Sequence, residues 1–188
     1  MGEFRRIRES KVHQGHVWHL ATAEYEAPDG RRFRRDIVRS PGAVGVVPLV
    51  FDAEGNASVV LVAQYRPPHE ENVIEIPAGM RDIDGEDTAA VARRELIEEA
   101  GLDAGRIDLL GEIYPSPGMT DSITTLYLAT HCTPVPTDRQ GPEEDFMVTM
   151  HVPLNDALAM IDRGEIRDAK TVSGLLMTQR RLRSSDGD

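Results

Sequence analysis

Two neighbouring apolar segments constrain the fold of this chain more than any other part of its sequence. Residues 42–51 read GAVGVVPLVF and residues 57–66 read ASVVLVAQYR, with a polar turn at 52–56 between them. Both segments are rich in β-branched residues, which favour strands. Their apolar character is continuous, whereas a strand with one face in water alternates between apolar and polar residues. We therefore predict a hairpin of core strands that is covered on both faces.

Shorter patterns predict the other elements around one main core. Residues 16–25 and 32–38 are typical of strands, and the Ala-Pro-Asp-Gly turn at 27–30 predicts that they form an antiparallel hairpin. The remaining segments are an extended piece at 73–79, strands at 107–114, 123–131 and 146–152, and helices at 88–100, 156–164 and near 172–183. The first of these helices follows Asp87, whose side chain can cap free amides, and precedes Gly101, a typical left-handed terminator.

Composition excludes several classes of function. The net charge of −11 disfavours binding to nucleic acid. No apolar run approaches the roughly 20 residues that span a bilayer, and the N-terminal residues lack the apolar core of a signal peptide. Cys132 is the only cysteine, which excludes an internal disulfide and a zinc site built on several thiolates. We expect a cytoplasmic protein that binds neither nucleic acid nor membrane.

The helix expected over 88–100 carries an unusual cluster of acidic residues. Glu95, Glu98 and Glu99 are spaced i, i+3 and i+4, so their side chains leave one helix face within reach of a common point. Like charges at these spacings oppose helix formation by roughly 0.2–0.5 kcal/mol per pair, so the cluster needs a positively charged partner. A bound cation is one explanation. The alternative is a solvated acidic face on which Arg94 pairs with Glu98.

The residues around this helix resemble the Nudix box, G-x5-E-x7-R-E-U-x-E-E-x-G-U, in which U is apolar. Every fixed position matches from the first glutamate onward, at Glu86, Arg94, Glu95, Leu96, Glu98, Glu99, Gly101 and Leu102. The chain departs before that point, because six residues instead of five separate Gly79 from Glu86. An inserted loop residue costs little closure entropy, so it affects the path of the loop and leaves the glutamate face unchanged.

This resemblance implies an α/β fold, namely an α/β/α sandwich around a mixed sheet. With the N-terminal antiparallel β-hairpin, it predicts an extension over residues 1–40 and a Nudix hydrolase domain over residues 41–188. The box of the family binds magnesium (Mg2+) or manganese (Mn2+), hard cations that prefer oxygen ligands. By correspondence the metal ligands here are Glu95, Glu98, Glu99 and the backbone carbonyl of Ala78, and Arg94 orients the carboxylates.

Segments outside the box resemble the ADP-ribose pyrophosphatase branch of the family. They are QYRPP at 64–68, EIPAGM at 75–80, RRDIVRSPGAV at 34–44 and SPG at 116–118. The resemblance implies four substrate-binding residues, which are Arg35, Arg66, Met80 and Pro117. The chain departs from the branch at Asp36, where glutamate is frequent, and at Ser122, where Asp-Glu often replaces Asp-Ser. Trp18 and Phe33 are candidates to stack on adenine, although a lone aromatic residue in a strand more often serves packing.

The implied reaction is metal-assisted attack of water on the diphosphate of ADP-ribose, giving AMP and ribose 5-phosphate. In this branch the base lies on a late loop, and the corresponding segment here is GPEED at 141–145. Glu144 is the first choice for the base and Glu143 the second, and the alternative is a solvated acidic loop.

Related enzymes exchange the N-terminal hairpin across a two-fold axis, so the resemblance also implies a homodimer with shared sites. Two other functions stay open. The chain can be a pyrophosphatase for another nucleoside diphosphate sugar or dinucleotide, such as ADP-glucose or NADH. It can also be a non-catalytic module that binds ADP-ribose, although such a module would normally have lost box glutamates that this chain keeps.

Overall fold

The computed structural model of the chain describes residues 2–83, 85–137 and 145–185. Its contacts divide the chain into two compact units. The first unit consists of the residues up to Gly42 together with Tyr114–Ile123. The second consists of Ala43–Ile113 and the residues from Thr124 onward. The segment predicted as an N-terminal extension lies in the first unit, to which a segment from the middle of the chain also belongs.

The first unit is built on a three-stranded antiparallel sheet in the order β1–β2–β3, formed by β1 (Arg5–Gln14), β2 (His19–Glu26) and β3 (Arg32–Arg39). The predicted β2–β3 hairpin is confirmed, and Gly30 closes its turn at φ 83°, a conformation that glycine adopts without strain. Strand β1 was not predicted. Nearly all of its side chains are exposed, so it lacks the apolar alternation that marks a strand in sequence.

The second unit contains a seven-stranded sheet in which β10, β5, β4, β9 and β8 are neighbours, while β6 pairs with β5 and β7 with β4. Strands β4 and β9 are parallel and the other pairs are antiparallel, so the sheet is mixed as predicted. The strands are β4 (Ala43–Phe51), β5 (Ala57–Arg66), β6 (Glu71–Glu75), β7 (Ala78–Met80), β8 (Leu102–Ile113), β9 (Thr124–Pro134) and β10 (Val148–Pro153).

Helices cover both faces of this sheet, and they are α1 (Thr88–Ala100), α2 (Leu154–Asp162) and α3 (Ala169–Ser185). Alternate residues of β4 enter two different cores. Val47 and Leu49 pack with residues of α2 and α3, whereas Val44 and Val46 pack with residues of α1. This two-sided burial explains the continuous apolar run and gives the second unit its α/β/α layers. None of the helices in the described part of the chain is long and apolar enough to cross a bilayer.

The helix ends differ from the sequence-based expectation at several places, and α2 begins and ends two residues before the predicted 156–164. Asp87 occupies the position before α1, but its side chain makes no capping hydrogen bond, so the predicted cap was wrong. Helix α3 begins at Ala169, before the predicted start near residue 172, because the Asp168 carboxylate accepts hydrogen bonds from the Thr171 amide (3.0 Å) and hydroxyl (2.6 Å). Gly101 ends α1 at φ 64°, as predicted.

Candidate functional site

The acidic face of α1 is largely buried. Glu95 is 7% exposed and Glu99 is 4% exposed, so the alternative of a solvated acidic face is wrong for these two residues. Burial of a carboxylate without compensation is costly, and such groups in proteins are paired with cations or coordinate metals. These two carboxylates therefore need a cation or hydrogen-bond donors close to them.

Arg94 lies among the carboxylates of this face. Its Nη1 atom is 2.9 Å from Glu95 Oε1 and 3.2 Å from Glu98 Oε2, and its Nη2 atom is 3.7 Å from Glu86 Oε2. Burial alone would lower the pKa of Arg94, but the charges of Glu95, Glu98 and Glu86 raise it. The guanidinium thus contacts two of the predicted metal ligands, Glu95 and Glu98.

The loop before α1 approaches the same carboxylates through its backbone. The Ala78 amide donates a 2.9 Å hydrogen bond to Glu99 Oε2. A Cβ atom on Gly79 would lie only 2.0 Å from Glu95 Oε1, so a larger residue at this position would displace the Glu95 carboxylate. Strand β7 therefore holds the backbone of Ala78 and Gly79 directly against the glutamate face, at the place where the resemblance puts a carbonyl ligand.

The donor set fits a hard divalent cation. Glu86, Glu95, Glu98 and Glu99 contribute four carboxylates and Arg94 one guanidinium, a formal charge of −3 in this group. Glu86 Oε2 is buried and has no hydrogen-bond partner among the described residues. Oxygen donors of this kind are the ligands that Mg2+ and Mn2+ prefer. In the described residues, no group of three or more Asp, Glu, His or Cys side chains is arranged so that it could hold a metal ion as it stands.

Two of the predicted substrate-binding residues, Arg35 and Pro117, line one cavity of about 590 Å³ in the first unit. Aromatic side chains share this cavity. The rings of Tyr25 and Phe33 are stacked with their centroids 5.6 Å apart, and the Arg35 guanidinium carbon lies 4.8 Å from the Phe33 centroid. A flat aromatic wall beside a cation is suited to a planar base attached to an anionic group.

Arg39, which was not predicted, holds the Pro117 loop within the first unit. Its guanidinium pairs with Asp121 at 3.0 Å and with Glu9 on strand β1. The Val38 amide also donates a 2.9 Å hydrogen bond to the Met119 carbonyl. Arg39 belongs to the RRDIVRSPGAV segment, but no pattern in the sequence pointed to its role, because its partners lie 30 and 82 positions away along the chain.

Arg66 lies in the second unit and is paired with a buried acid. Its Nε and Nη2 atoms donate 2.6 Å hydrogen bonds to the two oxygens of Glu75, which is 3% exposed. Lys170 on α3 donates to the same carboxylate. Burial alone would raise the pKa of Glu75, but the hydrogen bonds from Arg66 and the charge of Lys170 lower it. The sequence offered Glu75 only as part of the EIPAGM segment, and it offered no signal for Lys170.

The other predicted site residues are placed as follows. Met80 is partly buried on β7, opposite Ala43 of β4. Trp18 is 45% exposed and lies near His13, whereas Phe33 lies in the aromatic cavity with Arg35 and Pro117. Glu143 and Glu144 lie outside the described residues.

The NUDIX domain family matches residues 39–181 of this chain, so the chain belongs to the Nudix family. The predictions of family and enzyme class are confirmed. The chain is 35% identical over 177 residues to a Bacillus subtilis (strain 168) protein named ADP-ribose pyrophosphatase, covering 94% of this chain and 93% of that protein. It is also 35% identical over 170 residues to a Bacillus methanolicus protein named methanol dehydrogenase activator, covering 90% and 89%.

A solved structure described as an ADP compounds hydrolase superposes on the chain with a TM-score of 0.84. The match covers 98% of this chain and 97% of the chain in that structure, at 20% sequence identity. This likeness confirms the predicted fold. Members of the Nudix hydrolase family generally use divalent metal ions, in keeping with the oxygen-rich donor set on α1.

Proposed function

We propose that this chain hydrolyses the diphosphate of ADP-ribose to AMP and ribose 5-phosphate, with Mg2+ or Mn2+ bound to α1. One observation carries the proposal, which is the buried pair Glu95 and Glu99 packed against the backbone of Ala78 and Gly79. The similarity to a protein named ADP-ribose pyrophosphatase over almost the whole chain supports the choice of substrate.

The residues of this chain have separate roles in the proposed reaction. Glu95, Glu98, Glu99 and the Ala78 carbonyl hold the metal, and Arg94 keeps the first two carboxylates oriented through its 2.9 Å and 3.2 Å contacts. The metal, when bound, neutralises charge that develops on the diphosphate during attack by water. A carboxylate of the late loop accepts the proton of that water, with Glu144 as our first choice and Glu143 as the second.

The substrate arginines serve two different parts of the ligand in this proposal. Arg66 contacts the diphosphate, and Arg35 contacts a phosphate oxygen beside the base. The stacked rings of Tyr25 and Phe33 offer the base a flat apolar wall, and Pro117 closes the same cavity. Met80 contacts the substrate from strand β7.

Replacing Arg35 by glutamine is expected to raise KM for ADP-ribose about tenfold, because a charge-assisted hydrogen bond to phosphate is lost. Initial-rate kinetics measure the change. The matched control is Arg34→Gln on the same strand, since successive strand residues point to opposite faces and Arg34 lies with Arg8 and Glu24 instead. Equal effects of the two substitutions would mean that Arg35 contributes only to the surface charge.

We also propose a homodimer in which the N-terminal hairpin is exchanged and the active sites are shared. The first unit supports this with exposed apolar side chains, including Phe4 at 69% and Val12 at 60% exposure. Size-exclusion chromatography with light scattering tests it, and an active monomer would overturn it. The cytoplasmic location stays a prediction.

The deciding experiment incubates the purified protein with Mg2+ and a panel of ADP-ribose, ADP-glucose, NADH and GDP-mannose, and identifies products by anion-exchange chromatography. We expect the highest kcat/KM for ADP-ribose, equimolar AMP and ribose 5-phosphate, and complete loss of turnover with EDTA. A higher kcat/KM for another compound would indicate the alternative function, a pyrophosphatase for that compound. Binding of ADP-ribose without turnover of any compound would indicate the non-catalytic module.

The same assay tests the base. Glu144→Gln is expected to lower kcat by about 100-fold or more, because general base catalysis contributes roughly 100-fold to 10,000-fold. KM should change little, since the substitution keeps the size of the side chain. If Glu144→Gln keeps full activity and Glu143→Gln does not, the base is Glu143.

A further inference from the structure

Four charged residues connect the start of helix α3 with the ends of strands β5 and β6, and we call them the α3–β6 cluster. They are Arg66, Glu75, Asp168 and Lys170. Glu75 accepts two 2.6 Å hydrogen bonds from Arg66 and a third from Lys170. Lys170 also donates a 3.1 Å hydrogen bond to Asp168. The side chains of Glu75, Lys170 and Asp168 are 4%, 16% and 20% exposed, so solvent screens these three charges little, whereas the Arg66 side chain is 38% exposed.

The cluster lies between α3 and the residues that approach the metal-binding face. The Thr171 hydroxyl accepts a 2.9 Å hydrogen bond from the Ile76 amide, which is next to Glu75 in the chain and two residues before Ala78. The hydrogen bonds of Glu75 raise the pKa of Arg66, and the charges of Glu99 and Asp168 add to the rise. The Arg66 guanidinium is therefore within electrostatic reach of both Glu99 and α3.

The charges of the cluster balance only when Lys170 is present. Arg66 and Lys170 contribute two positive charges, and Glu75 and Asp168 contribute two negative charges. Without Lys170 the sum is −1, and the full charge of Glu75 acts on Arg66. Without Lys170, Arg66 therefore attracts an incoming diphosphate more weakly, because the net negative charge of the cluster repels the diphosphate.

We propose that Lys170 is a positioning residue that acts through Glu75 on Arg66 and keeps that guanidinium available to the anionic substrate. The inference rests on the proposed function, in which Arg66 contacts the diphosphate. According to this inference, the first turn of α3 contributes to substrate affinity, although Lys170 itself does not touch the substrate.

The test compares four variants by initial-rate kinetics with ADP-ribose and Mg2+, at low and high salt. Lys170→Met removes the charge and keeps the chain length, and it should raise KM about tenfold at low salt while kcat changes less than about twofold. Lys170→Arg should restore the wild-type KM. Arg167→Met is the matched control, since Arg167 lines the same cleft as Arg66 and Lys170 but pairs with the exposed Glu71.

The fourth variant separates charge balance from packing. In the double variant Lys170→Met/Asp168→Asn the cluster is neutral again, and asparagine can still accept the Thr171 hydrogen bonds at the start of α3. We expect its KM to lie between those of wild type and Lys170→Met, because the net charge of the cluster is restored while the full charge of Glu75 still acts on Arg66. This variant and Lys170→Arg keep the test decisive if Lys170→Met alone does not fold, which thermal unfolding checks.

The outcomes are distinct from those of the proposed function. If wild type cleaves the substrate but Arg167→Met raises KM as much as Lys170→Met, or the double variant stays as weak as Lys170→Met, the positioning role is wrong. If Lys170→Met lowers kcat with unchanged KM, the residue supports the fold and not Arg66. If wild type cleaves no compound of the panel, the proposed function fails and this inference with it.

Discussion

Glu99→Gln is expected to lower kcat/KM for ADP-ribose by at least about 1,000-fold while the protein stays folded. Glutamine has nearly the size of glutamate, and its amide oxygen can still accept the 2.9 Å hydrogen bond from the Ala78 amide. What the substitution removes is one negative charge from a buried group of carboxylates. The helix and its loop should therefore keep their positions, and the loss of activity should come from weaker metal binding at the proposed site.

The measurement combines initial rates with the affinity for Mn2+, followed by electron paramagnetic resonance of the free ion. We expect weaker Mn2+ binding in Glu99→Gln and an unchanged thermal unfolding midpoint. The control is Arg93→Gln on the same helix, where the side chain pairs with Asp103 away from the acidic face. It should keep activity within about twofold of wild type, as is typical of exposed ion pairs. Full activity of Glu99→Gln would remove this residue from the metal site.

The core of the fold was predictable because it depends on burial. The continuous apolar runs of β4 and β5 required cover on both faces, and Val59 and Leu61 enter one core while Val60 enters the other. Strand β1 escaped prediction for the opposite reason. Its residues are exposed and its stability comes from ladder hydrogen bonds and from pairs such as Arg8–Glu24 at 2.6 Å, none of which leaves an apolar pattern in the sequence.

The candidate site divides in the same way between local and distant information. The common face of Glu95, Glu98 and Glu99 follows from helix geometry, so residue spacing alone was sufficient. The partners of that face come from elsewhere in the chain, such as Ala78, which contacts Glu99 across 21 positions. Spacing carries no information on such contacts, and only the resemblance to the family pointed to Ala78.

The α3–β6 cluster is the extreme case, because Glu75 and Lys170 are 95 positions apart. A lysine in the first turn of a helix does not stand out in a sequence. Its position is nevertheless unfavourable, because the N-terminus of a helix carries a partial positive charge. Its presence there is explained by the buried carboxylate of Glu75. Residues that violate a local preference in this way are informative, but only once the tertiary partner is known.

Glu75→Gln is expected to lower the free energy of unfolding by about 3 kcal/mol at neutral pH, as is typical when one partner of a buried ion pair is removed. The substitution leaves the charges of Arg66 and Lys170 facing a neutral amide, and only Arg66, at 38% side-chain exposure, is open to compensation by water. Urea unfolding followed by circular dichroism measures the change. The matched control is Glu71→Gln on the same strand, where an exposed pair with Arg167 contributes less than about 1 kcal/mol.

The acid dependence of this difference provides a second test of the same residue. Because the pKa of Glu75 in the folded protein is lowered from 4.5, its contribution to stability is fully present above that value and is lost as the pH falls through the folded pKa. Glutamine does not titrate, so the variant lacks this part of the acid sensitivity. The stability gap between wild type and Glu75→Gln should therefore narrow as the pH is lowered below about 4.5. A gap that stays constant down to the acid limit would mean that Glu75 contributes through packing and not through its charge.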